Sequence, residues 1–216
     1  MKNYKVIAFD LDGTLTDPYE GLTSAHKYAL VKMGVFGGER AALKKYIGPP
    51  LVDVWKEDFG FSDEEAHRAV ALFREYFGVY GWWDNKLYEG VGELLEKIRG
   101  RGYKIALATS KPDLYAVKIL KRFGIFEYFD FVGAATLDHK RDKKCEVLEY
   151  VISSLGISDA ERESVLLIGD TRYDLEGAAT TGVDFLGVLY GYGKEEDFPK
   201  GTPLVGCVAD ILEYLN

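Results

Sequence analysis

Four short runs without a charged residue recur along the chain, Val6 to Phe9, Ile105 to Ala108, Val165 to Ile168 and Phe185 to Leu189, and they constrain the fold more than any other feature. A strand with one buried face alternates apolar and polar residues, whereas short unbroken runs are expected where both faces of a parallel sheet are covered. A weaker fifth candidate spans Phe129 to Ala135. Helical patterns lie between these runs. Val91, Leu94, Leu95 and Ile98 make one apolar stripe, and Val147, Leu148, Val151, Ile152 and Leu155 make another. Gly124 and Gly156 stand where helices should stop, in the position that tolerates positive φ. Strand alternating with helix predicts an α/β domain with a mostly parallel sheet.

One spacing breaks the rhythm. A crossover needs only about a dozen residues, and the stretch from Phe9 to Ile105 is far longer. Within it, His26 to Met33, Arg40 to Tyr46, Leu51 to Phe59 and Glu64 to Phe77 carry helical signals, the last behind a Ser62/Glu65 capping box, and no convincing strand appears. The chain therefore reads as a doubly wound, Rossmann-like α/β core over residues 1–17 and 86–216, with a small α-helical cap inserted over residues 18–85. Asp17-Pro18 and the stretch Gly81 to Gly90 are the candidate hinges.

Composition narrows the partners. Acidic residues outnumber basic ones 35 to 27, giving a formal charge of -8, and no Lys/Arg tract occurs. A nucleic-acid polymer or an anionic membrane is not expected as a partner; a small anionic ligand would need a locally basic pocket. Cys145 and Cys207 form no C-x-x-C and have no histidine at metal-ligand spacing, so both read as core fillers in a reducing cytosol. The first apolar run ends at Asp10, too soon for a signal peptide or a membrane span, and a cytoplasmic protein is expected.

That interruption is informative. In Phe9-Asp10-Leu11-Asp12-Gly13-Thr14, the two aspartates are two apart and can converge on one side where the first strand ends. Ligands of open α/β sheets bind at that carboxyl edge. Two unit charges about 4 Å apart repel by roughly 4 kcal/mol at an effective dielectric near 20, so the pair calls for a cation or a shared proton. Oxygen ligands favour Mg²⁺. A calcium loop would need Asp or Asn at 14, Gly at 15 and Glu at 21, where the chain has Thr14, Leu15 and Gly21. Other strand ends add to the same edge. Thr109-Ser110-Lys111-Pro112 follows one, Gly169-Asp170-Thr171-Arg172-Tyr173-Asp174 follows another, and Lys143-Lys144 opens the helix between them. Carboxylates, hydroxyls and a lysine at successive strand ends describe a metal-assisted phosphoryl-transfer site.

In order and context, these segments resemble the four motifs of the haloacid dehalogenase-like (HAD) hydrolases. The resemblance covers essentially the whole chain, because a helical insertion just after the first motif is similar to the type 1 cap of the phosphoglycolate phosphatase-like branch. It implies Asp10 as nucleophile, forming an aspartyl-phosphate, and Asp12 as general acid and then base. Family members that cleave carbon–halogen or carbon–phosphorus bonds lack an aspartate at the second position, so Asp12 favours phosphate esters. Thr109 is implied as a phosphoryl-binding hydroxyl supported by Ser110, Lys144 rather than Lys143 as the phosphate-binding lysine, and Gly13 as room for the phosphate. Mg²⁺ is the implied cofactor, with Asp10, the main-chain carbonyl of Asp12 and Asp170 as ligands and Asp174 either at a metal-bound water or holding Lys144. Cap residues Tyr19, Thr23, Lys44, Lys45 and the Gly48-Pro49-Pro50 loop are where leaving-group choice is expected. His26 and His67 read as packing or surface residues, and Arg172 as a surface residue.

The expected activity is Mg²⁺-dependent hydrolysis of a small phosphorylated metabolite such as phosphoglycolate, by a monomer or homodimer. A 5'-nucleotidase is the near alternative. A β-phosphoglucomutase-like phosphomutase would carry a cap histidine where this chain has Leu22. A non-catalytic phosphate-binding scaffold would have little need of Asp12.

Overall fold

The structure is a computed structural model and describes residues 3–35, 38–137 and 140–216. The chain divides into two compact units, Met1–Asp17 with Leu87–Asn216, and Pro18–Lys86.

The larger unit is built on a six-stranded sheet. Its strands are β1 (Val6–Phe9), β4 (Lys104–Pro112), β5 (Phe131–Ala135), β6 (Val165–Gly169), β7 (Asp184–Val188) and β8 (Leu204–Val205), in the order β5-β4-β1-β6-β7-β8, and every pairing is parallel. Two further short strands, β2 (Thr16–Asp17) and β3 (Lys86–Leu87), form a separate two-stranded sheet. Helices α4 (Val91–Gly100), α5 (Asp113–Arg122), α6 (Lys144–Ser154), α7 (Arg172–Thr181) and α8 (Val208–Tyr214) complete the unit. This is the doubly wound, Rossmann-like α/β fold that the alternating pattern predicts.

The charge-free runs are where expected, for the expected reason. Val6, Ala8, Ala106, Ala108, Val165 and Leu167 form one layer, buried against Val147, Leu148, Val151 and Ile152 of α6 and Ala178 of α7. The stripe Val91, Leu94, Leu95 and Ile98 is the buried face of α4. Gly124 and Gly156 follow α5 and α6 with φ near 69°. Strand β4 runs on past Ala108 because its register shifts between Thr109 and Pro112, which lets Pro112 pair without a full ladder. Cys145 is half-buried but Cys207 is exposed, so the core-filler reading fails for Cys207. It stands at the N-cap of α8, where its main-chain N–H donates to Asp210 Oδ2 at 3.1 Å. A cap position belongs at the surface.

The regular structure of the smaller unit, among its described residues up to Lys86 where β3 begins, is helical: α1 (Tyr19–Lys32), α2 (Leu51–Phe59) and α3 (Asp63–Tyr76), with a 3-10 helix at Arg40–Tyr46 and a π-helical turn at Phe77–Gly81. The capping box opens α3, Glu65 N–H donating to Ser62 Oγ at 3.3 Å and Ser62 N–H to Glu65 Oε2 at 2.9 Å. Arg40–Tyr46 winds as a 3-10 rather than an α-helix, since extended backbone at Glu39 and Ile47 leaves room only for a short segment closed by i→i+3 bonds. Its core is aromatic, with Trp55 wholly buried beside His26, Phe59 and Phe61. His26 also contacts Tyr46 and Phe73 and is 1% exposed, a packing residue. No described helix is long and apolar enough to cross a membrane.

Candidate active site

Strand register assembles the site. Phe9 pairs with Leu107 on one side and Ile168 on the other, so Asp10, the Thr109 segment and Asp170 emerge at one edge of three adjacent strands. Strand order reverses about β1, and such switch points are where open α/β sheets bind ligands.

Asp10 is buried, its N–H donating to Ile168 O at 2.9 Å. Lys144 Nζ donates to Asp10 Oδ1 at 2.6 Å and to Ala108 O at 2.7 Å, and lies 2.8 Å from Asp174 Oδ1. Lys144 can reach inward because it is the first residue of α6; Lys143, one position earlier, is exposed and gives its N–H to Glu146 Oε2. Asp174 closes the N-terminus of α7, where its Oδ2 accepts from Thr171 N–H at 3.0 Å and Thr171 Oγ1 at 2.8 Å. Asp170 Oδ2 accepts the N–H of Tyr192 at 2.8 Å, whereas its Oδ1 is buried without a hydrogen-bond partner.

One ammonium therefore contacts two carboxylates, Asp10 and Asp174, with the third, Asp170, beside them. Burial raises the Asp10 carboxyl to about 6, opposed by Lys144 and reinforced by the neighbouring charges of Asp174 and Asp12. Asp170 rises well above the carboxylate range through burial and then repulsion from Asp174 and Asp10. Burial alone would lower Lys144, but Asp10 and Asp174 together hold it above the ordinary lysine value. The surplus negative charge is a physical demand for a cation.

The donor set fits Mg²⁺. Asp10, Asp170 and Asp174 each offer an oxygen within 4.8 Å of the others, hard anionic ligands of the type Mg²⁺ takes. Asp170 Oδ1 is the oxygen left over, while both Asp174 oxygens already have partners. The Asp12 carboxylate lies outside that group: its Oδ2 is 2.6 Å from Lys111 Nζ, and its Oδ1 is buried without a partner.

The remaining predicted residues separate by place. Thr109 is 2% exposed within β4, where the register shift begins, its Oγ1 accepting the N–H of Lys111 at 3.2 Å, and Ser110 is exposed. Gly13 has φ 85°, and a Cβ there would lie 2.0 Å from Asp170 Oδ2, so only glycine fits. Arg172 is exposed. The other candidates belong to the helical unit. Thr23 is buried and its hydroxyl donates to Tyr19 O at 2.5 Å, while Tyr19 lies under the Arg40 guanidinium, 5.6 Å from the ring centre. Gly48 is exposed with φ 109° and Pro49 half-buried; Lys44 and Lys45 are exposed, and Lys45 pairs with Asp58 at 2.7 Å.

Two features escape a reading by motif. Lys111 is visible in sequence as a charge after Thr109-Ser110, but its ion pair with Asp12 is not. Tyr190-Gly191-Tyr192-Gly193 carries a signal, alternating glycines after the last long strand, that marks close backbone approach.

The haloacid dehalogenase-like hydrolase family profile matches residues 7–188. A 5'-nucleotidase from Pseudomonas aeruginosa is 39% identical over 96% of this chain and 92% of its own length. The tyrosine-protein kinase PtkA of Mycobacterium tuberculosis is 33% identical over 98% of this chain and 71% of its own length. A phosphoglycolate phosphatase from Vibrio vulnificus is 30% identical over 98% and 94%. Among solved structures, a predicted phosphatase from Clostridium acetobutylicum superposes with a TM-score of 0.93 at 35% identity, covering 99% of each chain. The chain belongs to the haloacid dehalogenase-like hydrolase family and is a phosphatase of that family.

Proposed function

We propose that this protein is a Mg²⁺-dependent phosphatase that hydrolyses a small phosphomonoester through a phosphorylated Asp10. The observation that carries the reading is the buried Asp10 carboxylate, fixed by Lys144 at 2.6 Å beside Asp170 and Asp174 at the sheet switch point.

Asp10 attacks phosphorus in line, and Lys144 holds the attacking group in place and offsets charge on the phosphoryl oxygens. The Thr109 hydroxyl and main-chain donors of the β4 bulge bind those oxygens. Asp12, two residues beyond Asp10 in the segment that leaves β1, gives a proton to the leaving alcohol and later takes one from the attacking water. Lys111 fixes the Asp12 carboxylate through Oδ2 and leaves Oδ1 for proton transfer. Asp10 and Asp170, with the main-chain carbonyl of Asp12, would hold Mg²⁺. When bound, that ion neutralises the surplus carboxylate charge and the charge of the transferring phosphoryl group. Asp174 positions Lys144 and the start of α7.

For the substrate, the 5'-nucleotidase relative at 39% identity supports a nucleoside 5'-monophosphate ahead of phosphoglycolate, whose phosphatase relative stands at 30%. The relative named as a tyrosine kinase makes phosphotyrosine a third compound to test. Phosphate release from nucleoside monophosphates, phosphoglycolate, sugar phosphates, phosphotyrosine and pyrophosphate, each with Mg²⁺ and with chelator, decides the matter. Metal-dependent release highest for a nucleoside monophosphate is expected. No release from any of them by folded protein would overturn the reading.

A further inference from the structure

The loop after β7, Tyr190 to Gly193, touches the candidate site at several independent points. Tyr192 N–H donates to Asp170 Oδ2 at 2.8 Å. The Tyr190 hydroxyl donates to Thr14 O at 2.9 Å, and the Tyr192 hydroxyl is hydrogen-bonded to Asp17 Oδ1. Close packing completes the contact. A Cβ on Gly191 would lie 2.4 Å from both Asp170 Oδ2 and Gly13 O, and one on Gly193 would lie 1.9 Å from Asp170 O. With Gly13 on its other side, the Asp170 side chain is enclosed by glycine backbone that no larger residue could replace without moving it.

We infer that Tyr190-Gly191-Tyr192-Gly193 is a positioning clamp for Asp170, using the Tyr192 N–H to hold Oδ2 so that Oδ1 is presented to the cation. The inference rests on the reading of Asp170 as a cation ligand. Its logic is that of an outer partner orienting a metal ligand: a carboxylate free to rotate loses affinity when it must be fixed on binding, and one already held by a backbone donor does not. The two hydroxyl contacts extend the clamp to Thr14 in the loop after β1 and to Asp17 in β2, tying Asp170 to the segment that carries Asp12 and Gly13. Because the donor is main-chain, the side chains at 190 and 192 anchor the loop, while the glycines at 191 and 193 set its distance from Asp170.

The test uses Mn²⁺ as probe on the intact protein without substrate, its binding followed by calorimetry or by the electron paramagnetic resonance of free Mn²⁺. Gly193→Ala should still fold by circular dichroism, at a lowered urea midpoint, and bind Mn²⁺ about 10- to 100-fold more weakly. In turnover it should raise the Mg²⁺ concentration for half-maximal rate by a similar factor while kcat at saturating Mg²⁺ changes far less. Tyr190→Phe should move both in the same direction by a smaller factor. A folded Gly193→Ala with wild-type Mn²⁺ affinity overturns the clamp. Asp170→Asn separates the two layers: if it retains wild-type Mn²⁺ affinity, the cation reading itself fails. Should Gly193→Ala not fold, the wild-type Tyr192 amide resonance decides, because it should move in step with Mg²⁺ in wild type and stay still in Asp170→Asn. An amide unmoved by Mg²⁺ in wild type overturns the clamp.

Discussion

At the scale of single residues, the site is a small number of charges whose balance depends on burial. Asp12 illustrates how chemistry and structure divide the work: one oxygen is tied to Lys111 at 2.6 Å and the other is buried without a partner. Asp12→Ala should lower kcat by about 10²- to 10⁴-fold, measured by phosphate release on protein shown by circular dichroism to be folded; unchanged kcat would remove Asp12 from acid–base chemistry. His26 gives a pH prediction away from the site. Burial pushes its imidazole down to about 4 from the ordinary 6.5, against a main-chain hydrogen bond to Tyr46. Between those values the unfolded chain takes up the proton and the fold does not. Stability is therefore fully present above pH 6.5 and falls as pH drops toward 4, by about 3 kcal/mol in all. Urea midpoints measured from pH 7.5 to 4.5 should fall less steeply in His26→Phe than in wild type; identical slopes would contradict this. The charge pattern Asp10, Asp12, Asp170, Asp174 was legible in sequence because strand ends and a helix start fix those positions locally. The Lys111–Asp12 pair and the Tyr192–Asp170 bond were not, since they join segments far apart in the chain.

At the scale of elements, local chemistry decided most of what was readable. Wholly apolar runs became central strands, and the two helical stripes became buried faces. Ser62 and Glu65 cap the N-terminus of α3 as the capping pattern predicts. Ser62→Ala should lower stability by about 1 kcal/mol, seen as a shift in the urea midpoint without a change in slope; no shift would mean that the capping bonds contribute nothing net. Gly133 in β5 faces α6 so closely that a Cβ would lie 2.3 Å from Val151 Cγ2. Gly133→Ala should cost about 1–3 kcal/mol through overpacking, and a thermal midpoint equal to wild type would contradict that. Arg40–Tyr46 and the short strand β8 were the elements that periodicity described poorly. A seven-residue 3-10 segment and a two-residue strand are too short for a repeat to register, and their form is set by flanking backbone and by pairing with β7.

At the scale of the whole molecule, an acidic chain of formal charge -8 places buried Lys144 among three buried carboxylates at the point where the strand order reverses. Alternation of strand and helix foretold the parallel α/β core, but strand order is a property of the assembled sheet and had no counterpart in local sequence. That order puts β1 between β4 and β6 and so makes Asp10 the centre of the site. The central claim is that phosphoryl transfer passes through this carboxylate, and Asp10→Asn tests it most directly, because the change keeps shape and removes the nucleophile. Multiple-turnover phosphate release at saturating substrate and Mg²⁺ should fall by a factor on the order of 10⁴ or more in a variant that folds as wild type does. Turnover within about tenfold of wild type would contradict the account and move the chemistry to another group.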